Sequence, residues 1–325
     1  MKKWVCQKNK AHVFDDYDPD PEHPYYCTLD EDPLTGILKL EEVDVKDPPK
    51  ETKPEPMPII VEPTEDELEQ EVGLCVIMMD ASDSMTDIAF DGIPLTRLTL
   101  VANSAASGIF DLERLQNNSN AFVACFKFDD RVELMFVDTV ANVIKRHRNI
   151  TAFSQYLYNE LIEMQQTPHG TDINKALQQA YMFVNQFLNK QLPGFPVKNY
   201  TPMVQRIFKY DSVDSVSVPN VRVLMYTDGR QYVVKGSMVL NPNPFKKNVL
   251  SGLNHDILIA AFFGSENDPG CKELRNIVSN CPIHNIPQFF LFDDPAHIGN
   301  LKYLFRMASG ASGFCPRCLE KQLKR

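Results

Sequence analysis

A carboxylate and two hydroxyls stand at alternate positions in Asp80-Ala81-Ser82-Asp83-Ser84. These are hard oxygen donors with no thiol or imidazole among them, a set that suits Mg2+ or Mn2+. They follow an unbroken apolar run, Leu74-Cys75-Val76-Ile77-Met78-Met79, which has the length and composition of a buried parallel strand. Ligands in open α/β sheets bind where such strands leave the core. Asp and Ser also make ordinary turns, so this motif alone is weak evidence. Two further segments change the weight. His169-Gly170-Thr171-Asp172 opens a helical pattern, and Tyr226-Thr227-Asp228-Gly229 closes a second buried run, Val221 to Met225.

The elements that must position these residues alternate from Gly73 onward. Leu98, Val101, Ala102, Ala105, Ile109 and Leu112 keep helical spacing. Ala121 to Phe128 reads as a strand that Asp129-Asp130 turns into Arg131 to Val137, an antiparallel hairpin. Helices are expected over Phe153 to Gln166 and Ile173 to Leu188, and a surface insertion over the proline-marked stretch Gln191 to Pro219. Strands Val221–Tyr226, Ile257–Phe263 and Gln288–Phe292 then alternate with helices Cys271–Val278 and Ile298–Ala308. The fold class that follows is α/β, a doubly wound and mostly parallel sheet.

Together the three oxygen-bearing segments resemble the metal-ion-dependent adhesion site of von Willebrand factor A (vWA) domains: Asp-x-Ser-x-Ser, then a Thr, then an Asp ending a later strand. Asp80, Ser82, Ser84, Thr171 and Asp228 fill all five positions in order, and the resemblance spans about Gly73 to Gly313. It implies that Ser82, Ser84 and Thr171 offer hydroxyl oxygens directly to Mg2+ (or Mn2+), while Asp80 and Asp228 act mainly through water. The ion would keep an open position for an Asp or Glu carboxylate of a protein partner. Asp83 departs from the pattern, since many members have Gly there, and it adds a negative charge beside the ion. Asp87 stands where some members bind a second ion; a solvated loop carboxylate is the plainer reading.

Cysteine usage suggests a second metal. Cys315-Pro316-Arg317-Cys318 places two thiolates at zinc-knuckle spacing and needs two more ligands. Cys6 and Cys27 lead, with His12 close behind, giving a Zn2+ site shared between the two ends of the chain. Alternatively Cys6, His12, Cys27 and Asp30 form a self-contained ribbon. Cys75 and Cys125 lie within strands and read as buried small hydrophobes. Cys271 and Cys281 flank a helix and are too far apart along it to form a knuckle with each other. The expected organisation is a zinc-ribbon-like module over residues 1–40, a Pro/Glu-rich linker over 41–72, the vWA domain over 73–313 and a Cys-x-x-Cys tail over 314–325.

The remaining composition bounds the function. There are 33 basic and 43 acidic residues, a net charge of −10, which argues against bulk binding to nucleic acid or anionic lipid. The start lacks the apolar core of a signal peptide, and no run approaches the ~20 apolar residues of a membrane helix. Eight cysteines without an export signal point to a reducing compartment, so the expected location is cytoplasmic. A haloacid-dehalogenase-type phosphatase would need a second Asp where Ser82 stands. The nucleophile elbow and the phosphate-binding loop are absent, and the seven histidines show no metal-protease spacing. The expectation is a non-enzymatic interaction module. Phe305 to Ser312 followed by the Cys pair is similar to bacterial vWA proteins of the tellurite-resistance type, which implies an adaptor in a stress-response or defence complex with an associated kinase or phosphatase. A zinc-ribbon adaptor for nucleic acid, motivated by basic residues at both ends, and a metal-dependent hydrolase are the alternatives.

Overall fold

The computed structural model describes residues 2–6, 13–14, 38–42, 70–115, 121–165, 170–208, 215–229, 231–232, 239–247, 258–281, 284–301, 304 and 315–317. The chain divides into two compact units, Met1–Glu62 and Pro63–Arg325. In the first, β1 (Lys2–Cys6) pairs antiparallel with both β2 (Val13–Phe14) and β3 (Leu38–Glu42). Cys6 closes β1; His12, Cys27 and Asp30 lie outside the described residues. So does most of the expected linker, whose two edges fall inside β3 and the first strand of the second unit.

The second unit is built on β4 (Gln70–Asp80), buried continuously from Val72 to its end. Its side chains alternate between two cores, as period-2 geometry requires. Cys75, Ile77 and Met79 pack with α1 (Arg97–Leu115) and α3 (Ile150–Met164), elements reached after a short hairpin of β5 (Ile88–Phe90) and β6 (Ile93–Thr96). Val72, Leu74, Val76 and Met78 pack with α4 (Ile173–Leu188) on the opposite face. Apolar side chains fully withdrawn from water contribute about 1.5–3 kcal/mol each, so a strand buried on both faces anchors the domain.

The sheet order is β14-β13-β12-β4-β7-β8, from β7 (Ala121–Phe128), β8 (Val132–Thr139), β12 (Val221–Thr227), β13 (Leu258–Phe263) and β14 (Phe289–Phe292). All neighbours are parallel except β7 and β8, the antiparallel edge that the sequence indicates. The α/β, doubly wound, mostly parallel class therefore holds. From β4 the chain first builds outward to β7 and β8, then returns to add β12, β13 and β14 on the other side. The reversal lies between β4 and β12, the switch point where two connections leave in opposite directions and open a crevice.

Four local readings need correction. Gln191 to Pro219 is more than a surface insertion. It holds β9 (Tyr200–Pro202), parallel to the start of β4, and a hairpin of β10 (Val204–Phe208) and β11 (Ser215–Pro219). Tyr200 is buried, stacks on Phe187 at 5.0 Å and donates its hydroxyl to the Phe187 carbonyl at 2.7 Å. α2 (Val140–His147) follows β8 directly, capped by Thr139, which accepts from the Asn142 amide at 3.1 Å. Neither this helix nor the β5–β6 hairpin is marked by the sequence pattern. The expected helix from Ile298 is preceded by a 3-10 turn over Pro295–Asn300, because Pro295 and the Asp294 side chain, which accepts from Ala296 N–H at 2.7 Å, start the turn earlier; Leu301 and Leu304 beyond it are helical. No helix among the described residues is long and apolar enough to cross a membrane.

Candidate metal site at the sheet switch point

Asp80 ends β4, and parallel pairing of Met79 with Tyr226 puts Thr227 and Asp228 at the matching end of β12. The chain then turns: Ala81 N–H donates to the Phe128 carbonyl at 2.7 Å, and a 3-10 turn over Asp83–Thr86 buries Met85 and returns Ser84 toward the sheet. One Asp80 oxygen accepts from Ser82 N–H at 2.8 Å, the other from the Thr227 hydroxyl at 2.5 Å. Ser82 Oγ lies 3.4 Å from Ser84 Oγ, and Ser84 Oγ donates to Asp228 Oδ1 at 2.8 Å. These contacts run from Asp80 through both serines to Asp228. The loop is fastened from outside by Gln165, which donates to the Ser82 carbonyl at 3.0 Å.

Thr171 arrives from a third segment. Its N–H donates to the Tyr232 carbonyl at 2.7 Å and its carbonyl accepts from Tyr232 N–H at 2.8 Å. Asp172 caps α4 by accepting from Lys175 N–H at 3.0 Å, and also accepts from Gln231 Nε2 at 2.9 Å. Gly170 is required for this approach: a Cβ there would stand 2.0 Å from the Tyr232 carbonyl oxygen. Gly229 sits between the segments. A Cβ built on it would lie 3.4 Å from Thr171 Oγ1 and 3.6 Å from Asp80 Oδ2, which places both oxygens on one small space. All five residues singled out from sequence therefore meet at one place. Asp83 and Asp87 are exposed on the rim.

The electrostatics follow from crowding two carboxylates out of water. Burial, then the charge of Asp228, pushes Asp80 up to about 7, against the pull of its bonds to Ser82 and Thr227. Burial also raises Asp228, while Arg97 and Ser84 draw it back. Arg97 is the residue that sequence reading missed. It is the first residue of α1, fixed by its N–H donating to the Asp87 carbonyl at 3.1 Å, and its guanidinium pairs with Asp228 and reaches the Ser84 carbonyl at 3.3 Å. A cation at a helix N-terminus opposes the helix dipole, so the pull of a buried carboxylate accounts for its position. No local motif marks it; only the fold brings α1 to Asp228.

The donor set fits a hard dication. It holds two carboxylates, three hydroxyls and a single compensating guanidinium, leaving net negative charge in a buried oxygen-only cluster. Asp228 is held at both oxygens, one by Ser84 and one by Arg97, which suits a role through water better than direct ligation.

A separate cluster contains Cys315. Its Sγ lies 3.2 Å from His284 Nδ1, and Cys281 Sγ lies 3.8 Å from the same nitrogen. Sequence reading paired Cys315 with residues of the amino-terminal segment and considered Cys281 only with Cys271. The structure puts Cys281 and His284 beside Cys315. The overlooked signal is the spacing Cys281-x-x-His284, itself half a knuckle. Cys318 lies outside the described residues. Cys75, Cys125 and Cys271 are buried, and burial raises all three thiols, as inert core cysteines require.

No family model and no curated protein matches the sequence. Among solved structures, similar chains include proximal thread matrix protein 1 of the mussel byssus, at 15% identity over 74% of this chain and 49% of that one, TM-score 0.40. This chain thus spans about half of the mussel protein. BatB from Bacteroides thetaiotaomicron matches at 12% identity over 74% of this chain and 99% of that one, TM-score 0.38. The VWA domain of SpRpn10 matches at 11% identity over 71% and 93%, TM-score 0.37. At these scores the case for the site rests on the residues of this chain.

Proposed function

We propose that this chain is a non-enzymatic interaction module of the vWA type, which captures an acidic residue of a protein partner at Asp80, Ser82, Ser84, Thr171 and Asp228. The convergence of those five side chains at the β4–β12 switch point carries the reading. Mg2+ (or Mn2+) held there would supply an electrophilic position for a carboxylate oxygen. The chain's own groups do the rest. Thr227 and the Ser82 amide orient Asp80, and Arg97 and Ser84 orient Asp228. Beside the site opens a groove of about 570 Å3, lined by Phe90, Asp91, Arg97, Ser265, Phe292 and Asp293, which offers polar contacts for residues flanking the captured carboxylate. Among the described residues of the site no serine or threonine hydroxyl has a histidine or lysine base, which favours binding over turnover. The adaptor role, the bacterial stress or defence setting and a kinase or phosphatase partner rest on the resemblance of the carboxy-terminal segment, residues 305–312, which lies outside the described residues, and the cytoplasmic location rests on the cysteine usage.

The test is capture of partner protein from native lysate on immobilised chain in Mg2+ and in EDTA, beside the Asp80→Asn variant. Retention in Mg2+ that is lost both in EDTA and in the variant supports the proposal. Equal capture in all three refutes a metal-mediated mechanism.

A further inference from the structure

We propose that Cys281, His284 and Cys315 hold a structural Zn2+ distinct from the oxygen site. The ligand atoms of the three described residues lie within 4.8 Å of one another. A tetrahedral zinc with Zn–S of about 2.3 Å and Zn–N of about 2.0 Å has S···N edges of about 3.5 Å. The two observed edges, 3.2 and 3.8 Å, straddle that value, with both sulfurs directed to one nitrogen of one ring.

The backbone around the first pair is shaped for the task. Asn280 bridges Pro287, Cys281 N–H donates to the Ile286 carbonyl at 2.8 Å, and Asn285 N–H donates to the Cys281 carbonyl at 2.8 Å. Asn285 takes φ 53°, a left-handed turn residue of the kind asparagine tolerates. This tight loop, between α6 (Pro269–Ile277) and β14, brings Cys281 and His284 to the same thiol of Cys315, 31 positions beyond His284. Gln288 N–H donates to the Ser279 carbonyl at 2.9 Å and Ala260 N–H to the Gln288 carbonyl at 3.0 Å, so the loop is rooted in the edge of the sheet.

Two other chemistries for such a cluster are disfavoured. A catalytic or redox thiol needs access, yet Cys281 and Cys315 are 1% and 0% exposed. No disulfide links Cys281 to Cys315, and a disulfide would give the imidazole no role. A buried cluster of nitrogen and sulfur donors matches structural zinc. Its effect would be to fasten the carboxy-terminal segment to the loop preceding β14. The ribbon of Cys6, His12, Cys27 and Asp30 remains a separate proposal for the amino-terminal unit.

The experiment is elemental analysis and Co2+ substitution of the full chain, with Cys281→Ser, His284→Ala, His284→Cys and the pair Cys6→Ser/Cys27→Ser. The expected result is thiolate-to-cobalt charge transfer with tetrahedral d–d bands, and zinc content that falls by about one equivalent in Cys281→Ser and His284→Ala, with affinity at least about 100-fold weaker. His284→Cys, which keeps a zinc ligand at that position, should restore the metal; this distinguishes lost ligation from failed folding. The Cys6→Ser/Cys27→Ser pair should leave the Co2+ signal of this site in place. Octahedral cobalt only, an intact Cys281–Cys315 disulfide by mass spectrometry, or unchanged zinc in both Cys281→Ser and His284→Ala would overturn the proposal. Loss of all tetrahedral cobalt in the Cys6→Ser/Cys27→Ser pair would do so as well.

Discussion

The oxygen cluster at the β4–β12 crevice and the sulfur–nitrogen cluster beside β14 differ in every property that sets metal chemistry. The first has carboxylates and hydroxyls, a guanidinium counter-charge and an adjoining groove. The second has two thiols and an imidazole, with both sulfurs shut away from solvent. Hard, sparingly direct ligation leaves a dication exchangeable and able to accept a further ligand, whereas thiolate ligation in a closed site binds tightly and braces the chain. On the two proposals, one domain would hold a place for recognition and a place for cohesion. The two should respond to opposite perturbations.

The largest contrast is expected from removing a sulfur ligand. Cys281→Ser should lower unfolding stability by an amount on the order of 4 kcal/mol, as loss of a structural metal does, measured by denaturant unfolding of the metal-loaded chain. Capture in Mg2+ should persist at temperatures where the variant stays folded. If stability is unchanged, the two clusters are not different in kind.

Asp80→Asn should act the other way. The carboxylate titrates at about 7 because burial opposes its charge, so a neutral isostere removes that cost. Stability at pH 8 should rise by roughly 1–3 kcal/mol while Mg2+ binding is lost, as followed by unfolding and calorimetry. A destabilised variant would mean that the buried charge is more than compensated by its hydrogen bonds.

The sign of the pH dependence follows from the same group. A carboxyl whose folded value exceeds its unfolded value of 3.8 stabilises the metal-free fold fully below that value. That contribution disappears as pH rises through about 7. Mg2+ needs the ionised form, so its affinity should climb about tenfold per pH unit below about 7 and level off above it. Affinity independent of pH from 5 to 8, within about a factor of two, would separate Asp80 from the ion.

Gly170→Ala should displace the Thr171 loop, since the new methyl meets the Tyr232 carbonyl oxygen at 2.0 Å. We expect about 1–3 kcal/mol of lost stability and weaker Mg2+ binding, with zinc content untouched. Asp83→Gly should be the mildest change, within about 0.5 kcal/mol, because Asp83 is exposed.

How much was legible follows from how each feature is encoded. Asp80, Ser82 and Ser84 fall within five residues at the end of one apolar strand, so composition and order reveal them together. Thr171 and Asp228 are marked by strand and helix boundaries, which periodicity locates well. Arg97 is different: it becomes part of the site only because the β5–β6 hairpin sets the start of α1 against β12. His284 and Cys281 escaped because their partner is far along the chain and a two-residue spacing of Cys and His is common in itself. Tyr200 looked like insertion because its burial depends on Phe187 and Phe195, contacts no local pattern announces.

On the proposed function, Asp80, Ser82, Ser84, Thr171 and Asp228 gather around one exchangeable divalent cation. Anomalous diffraction at the manganese edge from crystals soaked in Mn2+ addresses it most directly. A single peak bounded by those five side chains, absent after EDTA, is expected. Anomalous density elsewhere only, or an Arg97–Asp228 pair that fills the crevice with no manganese at any soak concentration, would contradict it.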